Sequence, residues 1–265
     1  MGSRAWVVIG VMSMVALCSG CSLFQAKPPE QAVPEYANAQ GKVMAQDYSG
    51  AVTLLTKYLE ANPNSPYRTD CELMLGECQM KLKNYLEAQH AFQKAQESPR
   101  TKAIDAKAKA GLGDAMMAQL AFLEAATAYE AALGVSKTDV AADRVTLYLG
   151  RALIRAGKWE PGRQWLRLVT TKYPDSDSAK TAKEIVDQPA NTFTVQVGAY
   201  SDSKIADAMI ATLKKNKIEG RIINRGYGPA PYAVRVGSFG TFAAARAEME
   251  KLFQLNVSKD MFILP

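Results

Sequence analysis

The chain has 265 residues, 48% of them hydrophobic and 22% charged, an ordinary globular composition that can bury a core and has room for one large domain or two to three small ones. The net charge of +6 is mild and forms no dense basic run, which argues against a nucleic-acid binder. One histidine and four cysteines leave little material for a metal site.

At the N-terminus a single basic residue, Arg4, precedes an apolar run from Ala5 to Leu17. About 20 apolar residues are needed to cross a bilayer, so this run reads as a secretory signal over residues 1–20 rather than as an anchor helix. Its ending, "LCSGC", resembles a lipobox, in which the cysteine after the cleavage site, here Cys21, is acylated. Cys18 stands where that motif prefers Leu, so ordinary cleavage to a soluble product is the alternative. The resemblance implies a lipoprotein, and Ser22 after the cysteine implies export to the periplasmic face of the outer membrane. Residues 21–34 carry Pro28, Pro29 and Pro34 with no apolar period, and read as a short stiff tether.

Residues 35–187 repeat with a period of 37. Leu75-Gly76, Leu112-Gly113 and Leu149-Gly150 keep that spacing, as do Ala51, Ala88, Ala125 and Gly162. Each of the latter follows an aromatic by three residues (Tyr48, Tyr85, Phe122, Trp159) and precedes a bulky residue by four (Leu55, Phe92, Tyr129, Leu166). A small residue permits close approach of two helices, and the bulky one fills the space beside it. Four helix–turn–helix units that stack on one another are therefore predicted, since one unit cannot bury its apolar face alone. The pattern resembles the tetratricopeptide repeat, whose usual period is 34. The three extra residues per unit are expected in the turn that leads to the next unit.

The resemblance implies a concave groove lined by the first helix of each unit. Arg144, Arg151 and Arg155, at spacings of seven and four, share a face of the fourth such helix and are candidates to hold an acidic peptide; a solvated basic face is the alternative. Cys71 and Cys78 are two helical turns apart and cannot bridge within one helix; half-buried thiols are expected. His90 has no catalytic partner in the sequence and reads as a packing residue.

Past "VDQPANT", residues 188–192 being read as a linker, the period changes to two. Phe193, Val195 and Val197 alternate with polar or small residues, a helix follows from about Ser203 to Asn216, and then come "EGRIINRG" and a glycine turn. Thirty-nine residues after "FTVQVGAYSDS" comes "YAVRVGSFGTF", then a helix capped by Thr241 and a last strand in "MFIL". The order is β-α-β-β-α-β in two related halves over residues 193–265. With both helices on one face, alternation predicts an open face that presents Gln196, Gly198, Arg235 and Gly237.

This segment resembles a SPOR (sporulation-related) domain from about Thr192 to Leu264. The resemblance implies a ferredoxin- or RNP-like α+β fold that binds peptidoglycan glycan, favouring strands stripped of stem peptides as at division sites. Carried to this chain, it makes Gln196, Gly198, Tyr200, Ser201, Arg235, Gly237 and Phe239 the candidate glycan-binding residues. Tyr200 and Phe239 as plugs at the sheet end, and the two glycines as backbone devices, are the alternatives. The whole reads as a multidomain binding protein: a lipid-anchored solenoid that recruits a protein partner, joined to a domain that grips the wall. An outer-membrane assembly factor that the last domain merely localises is the runner-up. An RNA binder of the same strand order would show stacking aromatics where Gln196 and Arg235 stand. An enzyme of wall metabolism would need a nucleophile elbow, a His-Glu-x-x-His segment or a carboxylate pair on the open face, and none is present. No catalytic residue, cofactor, metal or nucleic-acid partner is expected.

Overall fold

The computed structural model describes residues 34–138, 140–187, 191–226 and 228–265. The signal segment, Cys21, and all of the proline-rich tether but Pro34 lie outside the described residues. Within them, helices α1 (Pro34–Met44) to α9 (Asp177–Val186) form a solenoid of helix pairs: α2 (Tyr48–Ala61), α3 (Arg68–Lys81), α4 (Tyr85–Glu97), α5 (Lys102–Ala118), α6 (Phe122–Val135), α7 (Ala142–Arg155) and α8 (Trp159–Lys172).

The period of 37 has the physical origin that the small residues predict. A Cβ placed on Gly76 would stand 2.6 Å from the Phe92 ring, one on Gly113 2.6 Å from the Tyr129 ring, and one on Gly150 2.8 Å from Leu166. The last three pairs of helices thus close on a glycine–bulky contact, the first has Ala39 against Leu55, and Ala51, Ala88 and Ala125 are fully buried at the equivalent crossings. A second signal with the same period lies in the turns inside each pair. Gln46, Lys83, Leu120 and Gly157, again 37 apart, adopt left-handed φ of 58°, 63°, 66° and 77°. A left-handed residue ends the first helix and reverses the chain, and only the fourth copy uses the glycine that suits it best.

The extra residues do not all enter the turns between units. Residues 62–67 and 136–141 form long connections, but α5 follows a four-residue connection and is itself 17 residues long, against 14 for α3 and α7. Cys71 and Cys78 are fully buried, not half-buried, and free; burial pushes their thiols up to about 12 and about 11. His90 is exposed on α4 and is not part of the packed core.

The second unit follows as β1 (Phe193–Tyr200), α10 (Ser203–Lys215), β2 (Gly220–Asn224), β3 (Tyr232–Phe239), α11 (Phe242–Gln254) and β4 (Phe262–Leu264). Asp202 and Thr241 cap the two helices, accepting from Lys204 N and Ala244 N. The sheet is antiparallel in the order β2-β3-β1-β4, with the leading strands of the two halves side by side at its centre. One buried cluster runs through both units. It joins Ile154, Leu166 and Ile185 of the solenoid to Phe193, Val195, Val234 and Leu252 of the second unit. Rings stitch the junction: Trp159 to Phe193 at 4.8 Å, Phe193 to Phe242 at 5.7 Å and Phe122 to Phe242 at 5.0 Å between centroids.

Candidate glycan-binding groove

Pairing fixes which side chains share a face, because residues opposite each other across a ladder project the same way. Gln196 lies opposite Arg235, Arg235 opposite Arg221, and Gln196 opposite Phe262. The four strands therefore carry one transverse row, Arg221–Arg235–Gln196–Phe262, on the face away from α10 and α11. Thr194 and Leu264, paired with each other, form the next row.

Two irregularities break the simple alternation that the sequence implies. Between Gln196 and Gly198 the register slips, so that Val197 is an extra residue on β1 and Gly198 faces Val234. Val234 is a core residue, so Gly198 and Tyr200 stand on the helix side of the sheet and not on the open face. The second slip places an extra residue on β3 at Gly237, whose φ of 69° is the left-handed conformation a bulge glycine supplies. Tyr200 folds over Gly198 and Phe239 over Gly237, and both rings pack on the buried cluster. Of the residues predicted for the open face, Gly198, Tyr200, Gly237 and Phe239 thus serve packing and backbone geometry. Ser201 is exposed beyond the end of β1 and does not line the groove described below.

Gln196 and Arg235 do share the open face, but Gln196 is not exposed there: its relative exposure is 3%, and that of Thr194 is 6%. Both sit on β1, an inner strand of the sheet, and line a groove of about 770 Å³ whose far side is α9. Lys183 and Glu184 line one side, and Thr194, Gln196, Arg221 and Arg235 the other. Inside it, Thr194 Oγ1, Gln196 Oε1 and Arg235 Nε are buried without a hydrogen-bond partner. Such groups each cost about 1–3 kcal/mol when left unmet, so three in one groove form an unmet demand for a polar ligand. Burial, and then the neighbouring Arg225 and Arg221, hold the Arg235 guanidinium below its ordinary value. Among the described residues no carboxylate pairs with any of these three arginines. Like charges directly across a ladder, as Arg221 and Arg235 are, destabilise a sheet unless an anion lies between them.

Sequence reasoning missed Arg221, Arg225 and Phe262. The period-two pattern of "GRIINR" and "MFIL" holds the signal, but only the pairing register shows which alternate residues join Gln196. Phe262 is 47% exposed, an apolar ring at the end of a polar row.

The predicted basic groove of the solenoid is also changed. Arg144 and Arg151 flank the Tyr148 ring, with guanidinium carbons 5.9 and 5.7 Å from its centroid. Arg155 instead turns to the junction, over Phe242 at 5.1 Å and Phe122 at 5.9 Å. Burial, followed by repulsion from Arg151, lowers its guanidinium to about 10. It therefore belongs to the contact between the two units and not to a peptide groove. Asp114, in the preceding unit, accepts from the Tyr129 hydroxyl at 2.7 Å.

Residues 189–259 match the family model of the SPOR domain, and residues 145–176 match a tetratricopeptide repeat model. The chain is thus a tetratricopeptide-type solenoid followed by a SPOR domain, both of them binding modules. Similar solved structures include MamA, 20% identical over 55% of this chain and 82% of that chain with a TM-score of 0.47. Another is a set of kinesin light chain-type TPR-like repeats of Podosopora anserina, 15% identical over 57% of this chain and 81% of that chain, TM-score 0.49. A search of curated proteins finds no match. A SPOR domain points to peptidoglycan and a cell-envelope setting, and the repeats to a protein partner. No helix among the described residues is long and apolar enough to cross a membrane.

Proposed function

We propose that the protein is a lipid-anchored adaptor of the cell envelope. Cys21 carries the acyl chains at the periplasmic face of the outer membrane, the open sheet face grips peptidoglycan glycan, and the solenoid recruits a protein partner. The observation that carries the glycan reading is the set of three unmatched buried polar atoms beside the Arg221–Arg235–Gln196–Phe262 row. A sugar strand supplies what that row lacks. Its hydroxyl and acetamido groups donate to Gln196 Oε1 and Thr194 Oγ1. The lactyl carboxylate of a muramic acid freed of its stem peptide accepts from Arg235, and a sugar's apolar face stacks on Phe262. That carboxylate exists only on stripped strands, which gives a physical reason for preference for division sites, where such glycan accumulates. The Tyr148 ring between Arg144 and Arg151 is the surface we assign to an acidic partner segment.

Co-sedimentation with wall material, with and without amidase treatment, tests the glycan reading. A hydrogen bond to a charged group contributes about 1.5–3 kcal/mol, so Arg235→Ala should weaken binding to stripped wall by roughly one to two orders of magnitude. Its loss on untreated wall should be smaller. Gln196→Met keeps the shape but removes the unmatched oxygen, and should raise the melting temperature while it weakens binding. A purely structural glutamine would not show that pair of effects. Unchanged binding by both variants places the ligand elsewhere.

A further inference from the structure

The groove is not built by the SPOR domain alone. Its outer wall is α9, the last helix of the solenoid, whose Lys180, Lys183 and Glu184 line it together with Thr194, Gln196 and Arg235. Ser176 caps α9, accepting from Ala179 N, and Ser178 donates to Asp143 of α7 at 2.8 Å. Ala179, Ala182 and Ile185 bury its inner side in the cluster shared by both units. The helix is therefore held against the solenoid on one side and presents a charged side to the sheet. Lys180 is already paired with Asp177 at 2.8 Å. Lys183 has no carboxylate partner among the described residues, and neither Arg221 nor Arg235 has one to offer it a competing anion.

We propose that the glycan site is composite: Lys183 of the solenoid's last helix is a ligand-binding residue that holds a carboxylate of the strand lying on the Arg235–Gln196 face. This rests on the glycan reading above and adds to it a specific residue and a consequence. Thr194 and Gln196 are buried where they line the groove opposite Lys183, and in such partly dry surroundings a charge-assisted hydrogen bond is worth most. The sheet brings the neutral and guanidinium donors, the solenoid the ammonium. Glu184 and Asp187 share the α9 wall, but Lys183 there and Arg221, Arg225 and Arg235 on the sheet leave cations in excess, and with Arg235 Nε an unmatched donor this suits a strand that carries a carboxylate better than a neutral sugar.

The test uses the full chain and stripped wall material. Lys183 is exposed, so Lys183→Glu should fold as the parent does, which thermal unfolding checks. Charge reversal there should weaken binding about tenfold at low salt, and the deficit should narrow as the Debye length falls to about 3 Å near 1 M salt. Lys57→Glu on α2 changes net charge equally, is exposed, lies outside the groove, and should bind within about twofold of the parent. If Lys183→Glu matches Lys57→Glu while Arg235→Ala loses binding, the composite site is wrong and the sheet-face reading survives. If Arg235→Ala also binds as the parent does, the sheet-face reading fails and takes this one with it.

Discussion

Gly113 is one of the positions at which the repeat geometry demands a residue without a side chain. The perturbation is a single methyl group, Gly113→Ala. A Cβ there stands 2.6 Å from Tyr129 Cε1 and 2.7 Å from Cδ1, where ordinary contacts lie near 3.5–4.0 Å. The ring cannot swing aside: Tyr129 is 1% exposed, and its hydroxyl donates to Asp114 at 2.7 Å. Two effects oppose each other. Alanine in a helix interior is favoured over glycine by about 1 kcal/mol. Forcing an extra carbon into a packed core costs about 1–3 kcal/mol, and any rotation of the ring that relieves the clash gives up part of a hydrogen bond to a charged group. The clash wins, with a net loss of about 1–2 kcal/mol. At roughly 2–4 °C per kcal/mol for a chain of this size, that is a fall of about 2–8 °C in Tm by calorimetry. Gly134→Ala is the internal control: nothing lies within 4 Å of its Cβ, and α6 should gain up to about 1 kcal/mol, less in so far as Gly134 is one residue from the helix end. A Gly113→Ala variant as stable as the Gly134→Ala variant would refute the close approach and the register of 37 with it.

Cys71 and Cys78, buried and with thiols pushed up to about 12 and about 11, should resist alkylation at pH 8 in the native protein and react only on unfolding, as mass spectrometry of labelled protein would show. Burial raises the Asp114 carboxyl above its ordinary value, so its ionised form is a cost at neutral pH that disappears as pH falls through the folded-state value. Asp114→Asn still accepts from Tyr129, and should raise Tm at pH 7 with a gain that vanishes in acid. Phe242→Ala removes the ring that touches Phe122, Phe193 and Arg155, and should split one calorimetric transition into two. Cys21→Ser should abolish labelling by a palmitate analogue; labelling equal to the parent's would contradict the lipid anchor.

The repeat was readable because its cause is local. Gly76, Gly113 and Gly150 with Phe92, Tyr129 and Leu166 recur at a fixed offset, and the strand–helix order followed from a change of period at Phe193. The left-handed turn residues carried the same period unseen, since Gln46, Lys83 and Leu120 look like any surface residue and only Gly157 announces its conformation. The open face was half legible. Alternation placed Gln196 and Arg235 together correctly, yet the bulge at Val197 reversed the facing of everything after it, and so Gly198 and Tyr200 went to the wrong side. A bulge is a property of two strands, and one strand's sequence does not contain it. Arg155 failed for the same kind of reason. Its spacing from Arg144 and Arg151 is a fact about one helix, but what it meets is Phe242, 87 residues away.

The shared cluster at the junction has a directional consequence for how the solenoid comes apart. A stack of repeats behaves as a one-dimensional lattice whose units lean only on their neighbours, so disorder enters from free ends. Here one end is not free: Ile154, Leu166 and Ile185 are sealed by Phe193 and Leu252. The other end is the small cluster of Ala39, Leu55, Tyr58 and Cys71. Fraying should then run one way, with amides of α1 and α2 exchanging first and those of α7 and α8 last, so that the end nearest the groove on the sheet holds its shape longest while the far end breathes.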